Sequence, residues 1–131
     1  MRALPFTFGS GAGSTIHGLA RFEDGDLLVE FKAWSWTRFS TQIESRRISL
    51  EDVEAVDFRS GMFGARLTMS ARSMHAFDTL PTKRPGEIEL RFSRADRQTA
   101  AGLASAVSAH LSHVMLARMD REAARSFPSG D

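Results

Sequence analysis

The sequence predicts a mainly β domain with one C-terminal α-helix: a bent antiparallel barrel or sandwich of six to seven strands, capped by the helix. Three observations carry this expectation. Between Ile16 and Ser93 the chain falls into short stretches with apolar side chains at every second position. Residues suited to tight turns separate those stretches. Beyond Asp96 the apolar period becomes that of a helix and holds to about Arg125. The 131 residues make about one domain, and 42% apolar with 25% charged residues excludes a wholly disordered chain. Seventeen Lys plus Arg against sixteen Asp plus Glu leave a formal charge of +1, too little for a general attraction to nucleic acid or anionic membrane. With no cysteine, a disulfide framework, a thiol nucleophile and a cysteine zinc site are all excluded.

Residues 1–13 read as a flexible N-terminal arm, because Gly9-Ser10-Gly11-Ala12-Gly13 has the composition of a linker. Leu4, Phe6 and Phe8 nevertheless alternate, and would suit a strand added to an exposed sheet edge in this chain or a neighbour. The domain proper is expected over 14–125. Ile16 to Phe22 alternates, Asp24-Gly25 supplies a hairpin turn, and Leu27, Val29, Phe31 and Ala33 share the next inward face. Residues 34–41 fit either a strand or an aromatic excursion. Glu44 to Leu50 reads as a strand, with Ser49 capping one helical turn before Val53. Val53, Val56 and Phe58 begin another strand, and Gly61-Met62-Phe63-Gly64 is a second tight connection. Leu67, Met69 and Ala71 alternate after it. Met74, Phe77 and Leu80 are spaced to pack as a short turn within the irregular Ser73–Gly86 stretch. Ile88, Leu90 and Phe92 form the inward side of the cleanest strand.

The helix, about 96–125, should start at a Ser93 or Asp96 cap. Ala100, Leu103, Ala104, Val107, Leu111, Val114 and Met115 form its core stripe. Residues 126–131 read as a disordered tail. Gln98 to Ala117 contains no Asp, Glu, Lys or Arg, yet its serines, histidines and alanines make it a poor membrane span. No apolar run of signal-peptide length opens the chain, so a cytoplasmic protein without a transmembrane segment is expected.

This order of elements resembles the pleckstrin-homology-like domain. The stretch Ile48-Ser-Leu-Glu-Asp-Val-Glu-Ala-Val-Asp-Phe58, with the Gly-Met-Phe-Gly turn and Arg66-Leu-Thr-Met69, is similar to uncharacterised bacterial members of that group, over about residues 14–117. The resemblance implies a fold and names no ligand. It does imply that phosphoinositide binding would use basic residues around the first hairpin. Glu23-Asp24-Gly25-Asp26, taken as that hairpin, carries three carboxylates there and argues against it.

Four histidines are the first candidates for chemistry. His110 and His113 have a spacing that suits one metal, but no Asp or Glu nearby on the helix completes a site. One is expected at the core margin and one in solvent. His17 and His75 stand alone. No nucleophile elbow, phosphate loop or zinc-protease motif occurs. We therefore assign no catalytic residue, no metal and no cofactor, and expect no enzyme. An aromatic and arginine-bearing outer face would be the basis of small-ligand or nucleic-acid binding, but acidic residues interleave with its cations.

Two features point instead to a protein or peptide partner, including a second copy of the chain. Gly102, Ser105, Ala109, Ser112 and Leu116 lie opposite the helix's core stripe, with no charged side chain among them. Met62 and Phe63 form an apolar hairpin tip, expected to tuck over the barrel mouth or else to anchor a partner or a bilayer edge. Trp34 and Trp36 complete the set, one expected toward the core and the other outward. The functional expectation is a non-catalytic interaction module that associates through its helix or a strand edge.

Overall fold

The computed structural model describes residues 3–9, 16–35, 39–82 and 84–126, of which 33–35 and 126 as backbone alone. Seven strands are present: β1 (Leu4–Phe8), β2 (Ile16–Glu23), β3 (Asp26–Ser35), β4 (Ser40–Ser49), β5 (Val53–Gly61), β6 (Gly64–Ala71) and β7 (Glu87–Ser93). Among the described residues one α-helix, α1 (Arg97–Ser126), follows them. All strand pairs are antiparallel, in the order β4-β3-β2-β1-β7-β6-β5, so β4 and β5 are the edges of an open sheet. The expected β-rich fold with a terminal helix is what the chain adopts.

The turns form for the reasons their residues suggest. Asp24 and Gly25 both take left-handed backbone angles, φ 53° and 80°, which is the turn that matches strand twist in a two-residue hairpin. Ser49 caps a 3₁₀ turn, Leu50–Asp52, by accepting a hydrogen bond from the Glu51 amide at 3.3 Å. Trp34 pairs with Thr41 and Ser35 with Ser40, so this part of the 34–41 stretch is strand. β4 consequently begins at Ser40, before the expected Glu44.

The flexible arm expected over residues 1–13 is corrected first: Leu4–Phe8 is the middle strand of the sheet. It pairs with β2 from Leu4↔Ala20 to Phe8↔Ile16, and with β7 at Thr7↔Arg91 and Phe8↔Leu90. Leu4, Phe6 and Phe8 are buried. The Phe8 ring meets Phe6 at 4.9 Å and Phe31 at 5.3 Å, both edge to face. Hiding three such side chains contributes about 1.5–3 kcal/mol each, which works against the cost of ordering the strand. Gly18 makes room for it, since a Cβ there would lie 2.8 Å from the Phe6 ring.

The β1–β7 seam runs through Thr7↔Arg91 and Phe8↔Leu90 and continues in the Gly9 amide, which donates to the Glu89 carbonyl at 3.0 Å. Side chains from both sides of that seam and from α1 share one core. Phe77 and Leu80, from the connection before β7, close part of it. Met74, expected to pack with them, is exposed instead.

α1 covers the same core. After Ser93, a 3₁₀ turn (Arg94–Asp96) leads into the helix, and the Ser93 hydroxyl donates to the Asp96 carboxylate at 2.8 Å. Ala100, Leu103, Ala104, Val107, Leu111 and Val114 are buried as the helical period requires. Met115 is not: it lies at the margin of that stripe and is exposed. Arg97 donates to the Gly61 carbonyl at 2.7 Å, tying the start of α1 to the β5–β6 hairpin. Arg118 donates to the Glu51 carbonyl at 3.2 Å, tying a later turn to the link between β4 and β5. From Met119 to Arg125 every residue is exposed.

Candidate interaction surfaces

The outer side of α1 is the first surface. Gly102, Ser105, Ala109, Ser112 and Leu116 are all exposed, and Leu116 keeps 59% of its surface. The helix is long and apolar enough to cross a membrane by length and composition, yet only 33% of that apolar window is buried in the domain. The geometry follows from the period: residues on the core stripe recur every three or four positions, and the sites between them face directly away. Gly102 is open, with nothing within 4 Å of where a Cβ would stand. Ser112 donates its hydroxyl to the Ser108 carbonyl at 3.1 Å, so its polarity is already satisfied within the helix. Met119, one turn past Leu116, is also exposed, and the charged residues around it mask it in the sequence.

The β5–β6 tip is the second surface. Gly61 pairs with Gly64, leaving Met62 and Phe63 as the two-residue connection. Phe63 is 91% exposed and Met62 70% exposed. They do not tuck over the mouth of the sheet. Beside the tip, the Arg97 side chain donates to the Gly61 carbonyl at 2.7 Å.

Behind the tip, Arg59, Arg66 and Arg91 lie side by side across β5, β6 and β7. Three like charges in a row repel. The row two residues along answers them: Asp57 pairs with Arg59 at 3.0 Å, and Glu89 holds Arg66 at 3.3 Å and Arg91 at 2.8 Å. The arginines align as a nucleic-acid surface would need, but carboxylates occupy the same face. Arg46 and Arg47 stand apart on β4, paired with Glu44 and Asp26.

Trp34 lies in β3, opposite Thr41, and its side chain lies outside the described residues, as does all of Trp36. The face assignment for the two tryptophans therefore falls outside what is described. A further apolar patch was not anticipated. Leu19 and Ile43 are exposed on β2 and β4 beside a shallow depression of about 350 Å³, which also touches His17, Glu30 and Lys32. Only the pairing register brings them together, through Leu19↔Glu30 and Lys32↔Ile43.

The histidines are distributed over separate elements. His110 is half-buried with its ring 5.8 Å from Phe22, while His113 is exposed. His75 meets Asp78 at 3.1 Å on the surface. No group of three or more His, Asp or Glu side chains among the described residues is arranged to hold a metal. The acidic 23–26 turn joins β2 to β3 and is the second connection of the sheet, not the first. Its charge therefore does not bear on the β1–β2 connection, whose residues 10–15 lie outside the described ones. Comparisons of the chain with protein-family models, with curated proteins and with solved structures find no match.

Proposed function

We propose that this chain is a pleckstrin-homology-like interaction module without catalytic activity, and that it binds protein through the outer face of α1. The observation that carries this reading is the contrast between the two sides of the helix. One side is packed on the sheet, and the other leaves Leu116 in water and bears no charge between Gln98 and Ala117. A helix face meant for solvent carries Lys and Glu, and small uncharged residues there admit another backbone closely. The element order, with strands first and a helix laid over them, supports the family resemblance.

Light scattering on the whole chain at tens of micromolar tests the self-associating form. Wild type should run as an oligomer. Ser105→Glu and Ala109→Glu should run as folded monomers whose melting no longer depends on protein concentration, because both positions are exposed in the single chain. A monomeric wild type would sink this form of the reading.

A further inference from the structure

The β5–β6 hairpin is graded by chemistry along its length. Its tip is Met62 and Phe63, and Phe63 is the most exposed large apolar side chain among the described residues. Behind the tip, Arg59, Arg66 and Arg91 stand directly opposite one another across the three strands and so share one face. The next row on that face, further from the tip, is Asp57, Thr68 and Glu89. The carboxylates therefore reach the arginines from behind. The described bonds use Nε of Arg59 and of Arg91, which leaves the terminal nitrogens of both to meet a second anion. Arg94, exposed just past the Gly64↔Ser93 pair, adds a cation at the tip end, while Asp96 beside it is held by the Ser93 hydroxyl. Met62, Phe63 and the three arginines line one open depression of about 460 Å³.

This order of layers (apolar, then cationic, then acidic) matches an anionic bilayer met end-on. We propose that the β5–β6 hairpin docks the chain reversibly on membranes rich in anionic lipid, with Met62 and Phe63 among the acyl chains and the arginine row on the lipid phosphates. The depths agree. At about 3.4 Å per residue the arginines stand about 10 Å above Phe63, and the carboxylates about 17 Å above it. The headgroup layer is about 5–8 Å thick. A tip inserted by about 5 Å thus places the arginines inside that layer and the carboxylates in the water beyond. A nucleic acid laid along the face would meet both rows together; a bilayer meets only the cationic one. A stable protein complex covers about 800 Å² on each side, well above what two tip side chains offer. The small net charge of the chain does not oppose docking, because screening confines the attraction to charges within about 10 Å. The outer face of α1 takes no part in this contact, so the two readings stand or fall separately.

Co-sedimentation of the full chain with vesicles tests the inference. Wild type should pellet with phosphatidylcholine vesicles containing about a third phosphatidylserine, stay in solution with phosphatidylcholine alone, and be released by added salt. Phe63→Ser should weaken binding about tenfold, and Arg59→Gln combined with Arg66→Gln about twentyfold. All three positions are exposed, so these variants should stay folded, which thermal melting checks. The chain has no cysteine, so a polarity-sensitive dye on Met62→Cys reports from the tip alone and should shift to the blue on the anionic vesicles. Wild type left in solution by anionic vesicles at low salt would overturn the proposal, as would Phe63→Ser binding as well as wild type. Equal binding to both kinds of vesicle would overturn it too, by removing the arginines from the contact. Should wild type ignore vesicles while Phe63→Ser loses mass in light scattering, the tip belongs to a protein interface instead.

Discussion

The imidazole of His110 lies over Gly25: a Cβ on that glycine would come within 2.6 Å of the ring's Nε2. The contact joins the middle of α1 to the β2–β3 turn, and Phe22 flanks the same ring. Gly25 is therefore constrained twice, by its φ of 80° and by the ring above it. Gly25→Ala should lower stability by about 1–2 kcal/mol from the backbone alone, and by more from displacement of the ring. His110→Ala in the same chain should recover only the second part. Urea unfolding of the four proteins of this double-mutant cycle measures the coupling. An equal cost of Gly25→Ala with and without His110 would mean that the ring does not press on the turn.

The position of β1 leads to a larger expected effect. Phe8 is buried in the central strand, between Phe6 and Phe31. Phe8→Ala should cost about 3–5 kcal/mol, the usual penalty for emptying a buried aromatic site. A domain of this size has roughly 5–15 kcal/mol in all, so the variant should melt many degrees lower. An arm hanging free of the domain would give almost no change, and denaturant unfolding separates the two outcomes plainly.

Most of this sheet was legible because its signals are local. Alternation at Ile88, Leu90 and Phe92 and the Asp24-Gly25 turn depend only on nearby residues, and both turned out as read. The role of Leu4–Phe8 did not follow from its pattern. Its partner β7 begins about eighty residues later, and the Gly/Ser segment after Phe8 looks like a domain boundary. The same limit applies to the surfaces. The uncharged face through Gly102 and Ala109 could be read from helical spacing, because spacing fixes direction. Whether Phe63 was covered could not, since that depends on which elements pack beside the hairpin tip and not on its local spacing. Met115 failed for a subtler reason: it lies at the edge of a stripe whose width only the packed sheet sets.

Exposure of the β5–β6 tip makes a contrast within one hairpin. Phe63 has 91% of its surface in water, while Leu67, four residues on, is fully buried. Phe63→Ser removes almost no buried area, so its effect on stability should stay within about 0.5 kcal/mol. Leu67→Ala, which empties a packed site, should cost about 2–5 kcal/mol. Thermal unfolding of both variants beside wild type checks the difference. A tip folded back on the domain would make the two losses comparable. Because the tip and the α1 face use different residues, Phe63→Ser should also leave the mass seen by light scattering unchanged. A drop to monomer in that variant would move the association surface from the helix to the hairpin.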